Sequence, residues 1–251
     1  MLIGVTGRYR EPLEEADIAA IKVAQVEAVK VSCSGLEQQT PLFTVMQPPS
    51  GPDFTPAVMA AYMAGVRWFI IHQHPNLGTG GWGEYWQNGT QFADWWISVC
   101  DRLRAKLPEA KWGFPALTQG DRIGTFREDS ERFWEESQAA IEVADFCELE
   151  AWWKKPDGMQ ESLARIAALA GDWPDNPFTI EFCNYTPVVL KKEKAQQYLE
   201  FYDAMAQLPN VKAAFAFCVS SSDTRYHRYV CWRAESGKKV PSVIAEIVGR
   251  R

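Results

Sequence analysis

Val66-Arg67-Trp68-Phe69-Ile70-Ile71 runs into His72-Gln73-His74-Pro75-Asn76 and then, past Leu77, into Gly78-Thr79-Gly80-Gly81-Trp82-Gly83-Glu84-Tyr85-Trp86-Gln87-Asn88-Gly89. The opening run is mostly β-branched and aromatic, which suits a strand buried on both faces. Pro75 has no N–H to give to a ladder, so the strand should stop there. Polar side chains therefore gather where a buried strand ends and a long loop opens. In a parallel α/β protein that is the ligand-binding end of the sheet.

Working outward, the chain alternates strand and helix signals. Strands are predicted over residues 2–6, 26–31, 42–46, 66–71, 111–117, 145–152, 178–182 and 211–219. Helices are predicted from Glu11-Pro12, from Thr55-Pro56 to Ala64, and over residues 90–107, 130–143, 161–170, 191–208 and 241–248. Acidic residues in first turns, proline at helix starts and Gly65 after Ala64 supply the boundaries. The link at 36–39 is too short for a full helix. No glycine-rich phosphate loop follows the first strand, which argues against a doubly wound dinucleotide fold. Eight β/α units in 251 residues predict a single (β/α)8 TIM barrel forming one domain, 1–251.

Composition narrows the function classes. Hydrophobic residues make up 47% and charged residues 23%, enough to build a large core. The net charge of -6 argues against a nucleic-acid partner, since phosphate binding needs a basic surface. No apolar run approaches membrane-spanning length, so no membrane partner is expected. Residues 1–5 lack the basic start and small-residue cleavage site of a signal peptide. The expectation is a cytoplasmic protein, although a leader removed from a longer precursor fits the same sequence. The six cysteines form no CxxC pair and read as reduced, small hydrophobic residues. Oligomeric state is not legible. The 11 tryptophans are many; aromatic faces stack on sugar rings, and they also pack cores.

Strand periodicity then selects candidate site residues, because i and i+2 share a face. Ile70, His72 and His74 are expected to point one way and Gln73 the other. Cys147, Leu149 and Ala151 suit the helix-covered face of the sixth strand, so Glu148 and Glu150 should point inward. On the seventh strand Thr179 and Glu181 point together, with Ile180 and Phe182 toward the helices. A buried carboxylate is costly unless paired or used, so these glutamates are candidates for chemistry.

These segments resemble those of the clan A retaining glycoside hydrolases, which are (β/α)8 barrels. Gln73-His74-Pro75-Asn76 is similar to the Asn-Glu-Pro-Asn that ends the fourth strand in that family. Thr179-Ile180-Glu181-Phe182 resembles the seventh-strand segment carrying the nucleophile. Glu150-Ala151-Trp152-Trp153 resembles the sixth-strand segment, where relatives often carry a histidine and then an aromatic. The resemblance implies Glu181 as nucleophile and a carbohydrate as substrate or ligand. It departs at the acid/base: that glutamate falls on His74, the sixth-strand histidine falls on Glu150, and the preceding asparagine is Gln73. Retaining hydrolysis uses two carboxyl groups about 5–5.5 Å apart, so the mechanism does not carry over unchanged.

Three readings follow. In the first, the protein is a glycoside hydrolase with Glu181 as nucleophile and Glu150, His74 or Glu84 as proton donor. In the second, it is a catalytically inactive carbohydrate-binding barrel. In the third, His72 and His74 bind a metal together with Glu150 or Glu181, giving a metal-dependent hydrolase. The first two readings need no metal and no cofactor. Trp82, Trp86, Trp152 and Trp153 are candidate stacking subsites, and the glycines of residues 78–89 allow that loop to fold over a ligand. Packing at the barrel rim is the alternative for Trp86 and Trp153. Gln73, Asn76, His72 and Glu84 complete the candidate binding set. Asp223, Arg225, Tyr226 and His227, after the eighth strand, have no assigned role.

Overall fold

The computed structural model describes residues 1–8, 11–32, 43–46, 54–77, 86–119, 128–187, 189–223, 230–233 and 242–251. Eight strands follow one another in chain order around a closed barrel. They are β1 (Leu2–Thr6), β2 (Ala28–Val31), β3 (Phe43–Met46), β4 (Trp68–Ile70), β5 (Lys111–Phe114), β6 (Phe146–Trp153), β7 (Phe178–Asn184) and β8 (Val211–Ala216). Every described pairing is parallel, and β1 pairs with β8 through Leu2↔Ala213 to Val5↔Ala216, which closes the sheet. The described helices are α1 (Glu15–Val23), α2 (Thr55–Met63), α3 (Gly89–Arg104), α4 (Ser130–Glu136), α5 (Gln138–Val143), α6 (Pro156–Asp172), α7 (Lys191–Met205) and α8 (Val243–Val248). The predicted TIM-barrel class is the observed one. By compactness the chain divides into two units, Met1–Thr44 with Ala151–Arg251, and Val45–Glu150. No helix among the described residues is long and apolar enough to cross a membrane.

Local chemistry explains where the helices begin. α1 starts later than Pro12 because the Asp17 carboxylate accepts from the Glu14 N–H at 2.9 Å and closes a capping box there. α2 starts at Thr55-Pro56 as predicted, and Gly65, at φ +98°, lets the chain leave it. Asn88 caps α3 by accepting from the Gln91 N–H at 3.0 Å. The helix predicted over 130–143 is two helices, interrupted at buried Ser137, whose hydroxyl donates to the Gly89 carbonyl at 3.1 Å. Gly89 is required at that contact: a Cβ there would lie 2.5 Å from the Phe133 carbonyl oxygen.

Within the unit 1–44 with 151–251, the outer face of β7 packs on α7. Phe182 stacks on Phe201 at 4.3 Å and meets Tyr198 and Tyr202 edge-on at 5.4 and 4.9 Å. On the opposite face, Gly4 of β1 makes room for the Phe215 ring, which a Cβ would meet at 2.6 Å. Unit 45–150 uses the same device: Gly113 lies under the Phe146 ring, 2.4 Å from where its Cβ would be.

Candidate active site

Because Phe182 faces α7, the period of two turns its neighbour Glu181 to the inner face of β7, as the sequence predicts. Glu181 is 1% exposed. The Thr6 hydroxyl, at the end of β1, donates to its Oε1. Lys30 of β2 places Nζ 3.3 Å from its Oε2. Lys30 is itself buried, so the ammonium and the carboxylate supply each other's counter-charge. Sequence reasoning missed both partners. The available signal was Lys30 itself, a lysine within the strand Ala-Val-Lys-Val, since a lysine is almost never fully buried without a partner.

Within unit 45–150, β4 ends at Ile70, one residue short of the predicted run, and the backbone leaves the extended region. His72 has φ 83° and His74 φ 50°, both in the left-handed range that non-glycine residues rarely adopt. The alternation expected of Ile70, His72 and His74 is therefore broken, and the two histidines serve different neighbourhoods. His72 is buried and lies edge-on to Trp86, Phe92 and Trp95 at centroid distances of 4.9, 6.0 and 6.3 Å. His74 turns to Glu150, with Nε2 2.5 Å from Oε1. The His74 side chain is 23% exposed and that of Glu150 5%. The imidazole is thus the more exposed member of the pair. Among the described residues, no group of three or more His, Cys, Asp or Glu is arranged to hold a metal ion.

The remaining candidates divide by environment. Asn76 is fully buried and clamps the chain after β4 to the chain after β5, donating from Nδ2 to the Thr118 carbonyl at 2.8 Å and accepting at Oδ1 from the Thr118 N–H at 3.0 Å. Gln73 is half-buried. Trp86 is 0% exposed, donates Nε1–H to the Pro75 carbonyl at 2.9 Å and packs on Phe92 and Trp95. Trp153 is also interior, stacked on Phe182 and Phe201 with Nε1–H on Gln197 at 3.0 Å. Of the three described tryptophans singled out from the sequence, Trp152 is the half-buried one, resting against Phe217 at 5.1 Å and Tyr185 at 6.2 Å. Glu148 is fully buried on β6. Trp82, Glu84, Arg225, Tyr226 and His227 lie outside the described residues. The Asp223 backbone N–H donates to the Ser221 hydroxyl oxygen at 3.1 Å.

No protein-family model matches this sequence, and no curated protein matches it. Solved structures do match. A GH128 (subgroup I) endo-beta-1,3-glucanase from Amycolatopsis mediterranei, in complex with laminaritriose, superposes with a TM-score of 0.69 at 16% identity, covering 99% of this chain and 98% of that one. A GH128 (subgroup III) curdlan-specific exo-beta-1,3-glucanase from Blastomyces gilchristii, in complex with glucose, gives 0.66 at 10% identity, covering 100% and 98%. An endo-1,4-beta-mannanase from Rhizomucor miehei gives 0.60 at 9% identity, covering 100% and 95%. The chain resembles the clan A glycoside hydrolases in fold. At these identities the likeness to the clan A enzymes is one of architecture over nearly the whole chain, and the roles of individual residues rest on their own chemistry.

Proposed function

We propose that this chain, acting as one domain over residues 1–251, is a glycoside hydrolase-like barrel that works on a carbohydrate. Glu181 is the nucleophile-like residue, and His74, oriented by Glu150, is the proton donor. The observation that carries the reading is Glu181 itself, an inward carboxylate on β7 supported by Thr6 and Lys30. Carboxyl ends of barrel strands are where such enzymes place their reacting groups.

The His74–Glu150 pair bears on the departure at the acid/base. In the reading proposed, the His74 imidazole carries the proton that passes to the leaving group. Glu150 then orients the ring and compensates its charge, as a carboxylate does for a histidine acid/base elsewhere. In the step proposed, a Glu181 oxygen bonds to the anomeric carbon while the glycosidic oxygen leaves with a proton from His74. Water then attacks the same carbon, gives its proton to His74 and releases Glu181. Gln73 and Trp152 are the proposed sugar contacts, Gln73 by hydrogen bonding and Trp152 by stacking; Trp82, outside the described residues, is proposed as a contact from the sequence alone. The activities of the structural neighbours, two beta-1,3-glucanases and a 1,4-beta-mannanase, favour β-linked glucans and mannans as the first ligands to screen.

The test is a panel of aryl glycosides and β-linked oligosaccharides assayed with the wild type and with Glu181→Gln. Turnover by the wild type that Glu181→Gln abolishes supports the reading. A second reading, a sugar-binding barrel without turnover, is favoured by the histidine at the position where the clan A enzymes use a carboxyl acid. Calorimetric saccharide binding with no turnover of any glycoside would select it.

A further inference from the structure

Beneath Trp152, the chain after β8 brings together two thiols that the reaction proposed above does not use. Cys218 and Cys231, 13 positions apart in sequence, lie with their Sγ atoms 3.8 Å apart. Both are reduced and fully buried. They belong to an apolar cluster with Cys183, Phe217 and Val230, against which Trp152 and Tyr185 pack. The backbone holds the pair in register. The Trp232 N–H donates to the Cys218 carbonyl at 3.0 Å and the Arg233 N–H to the Val219 carbonyl at 2.9 Å, so the two segments run side by side. Lys191 of α7 donates to the Cys231 carbonyl and fixes the other flank.

We infer that Cys218 and Cys231 are a redox-active pair that closes to a disulfide and ties the segment after β8 to the end of that strand. A disulfide needs its sulfurs about 2.05 Å apart, and these two thiols already lie in contact. The oxidant is a small-molecule disulfide such as oxidised glutathione. One cysteine thiolate attacks it, forming a mixed disulfide and expelling one glutathione thiolate. The second cysteine thiolate attacks the protein sulfur of that bond, forming Sγ–Sγ and expelling the other glutathione. The two thiols lose two electrons to the oxidant, and their two protons pass to the two glutathione thiolates. Burial pushes the Cys218 thiol well above its ordinary value, so exchange through it is slow at neutral pH and quickens in mild alkali.

The experiment incubates the wild-type chain with oxidised glutathione at about pH 8.5, alkylates remaining thiols under denaturing conditions and maps the peptides by mass. The expected result is a fall from six alkylated cysteines to four, with one linked peptide joining Cys218 to Cys231. Closing a loop of this length should also raise the melting temperature by about 5 °C, and the rise should disappear on adding a dithiol reductant. Cys231→Ser, oxidised alongside, should show neither change. Six alkylated cysteines after oxidation, or a linked peptide joining any other pair, would overturn the inference. The peptide map uses only the wild type, so a variant that fails to fold leaves the test intact.

Discussion

Glu181 has a hydrogen-bond partner on β1, Thr6, and an ionic partner on β2, Lys30, and these make its burial affordable. Removing one of them tests the pairing. Lys30→Met leaves a buried charge without its counter-ion and should lower the unfolding free energy by about 3–5 kcal/mol, read from urea denaturation. Lys30→Met combined with Glu181→Gln should recover part of that loss, since the uncompensated charge is gone. At His74 the prediction is kinetic. His74→Ala should slow hydrolysis of glycosides with poor leaving groups by about 10²–10⁴-fold and spare activated aryl glycosides, which need little protonation. Glu150→Gln should reproduce that pattern more weakly, because it disturbs the orientation of the donor rather than removing it. Equal losses on both substrate types would assign His74 to binding. The inward phase of Glu181 was legible in the sequence because Ile180 and Phe182 flank it with apolar neighbours. Its partnership with Lys30 was not, since it joins side chains far apart in sequence and no periodicity reports that.

At the scale of elements, strand existence was legible and strand ends were not. The fourth and fifth strands were expected over residues 66–71 and 111–117, yet β4 and β5 end at Ile70 and Phe114. Beyond those points the backbone finds other partners: Asn76 serves the Thr118 N–H and carbonyl, Trp86 serves the Pro75 carbonyl, and the His74 N–H donates to the Ala116 carbonyl at 3.2 Å. A run of apolar residues does not say where such side-chain clamps replace the ladder. The positive φ values at His72 and His74 were equally hidden, because glycine and asparagine are the usual markers of that region. Trp86 can be tested at this scale. Trp86→Ala empties a fully enclosed site between α3 and the turn at Pro75, and should cost about 3–5 kcal/mol in chemical denaturation. Gly113→Ala forces a methyl group into the Phe146 ring and should cost about 1–3 kcal/mol. A neutral result there would mean that Phe146 moves aside freely.

For the whole molecule, the repeat of mostly apolar strand and amphipathic helix made the closed barrel legible, because the strands of a parallel sheet are covered on both faces and are rich in apolar residues. Electrostatic ties between distant segments were not. Arg233 donates to Asp17 at 2.8 and 3.0 Å and to Glu14 at 2.9 Å, joining the chain after β8 to the start of α1, and Arg8 lies 3.1 Å from Glu14. Asp17 is 0% exposed. Asp17→Ala should therefore destabilise the fold by about 3–5 kcal/mol by removing the buried one of Arg233's two carboxylate partners, a change visible as a lowered melting temperature. The central claim, that this barrel turns over a glycoside through Glu181, is met most directly by steady-state kinetics of wild type and Glu181→Gln on activated aryl glycosides. Measurable wild-type turnover is expected, with a fall in kcat of at least about 10³-fold in the variant and circular dichroism unchanged. Turnover that Glu181→Gln retains at the wild-type rate would contradict it.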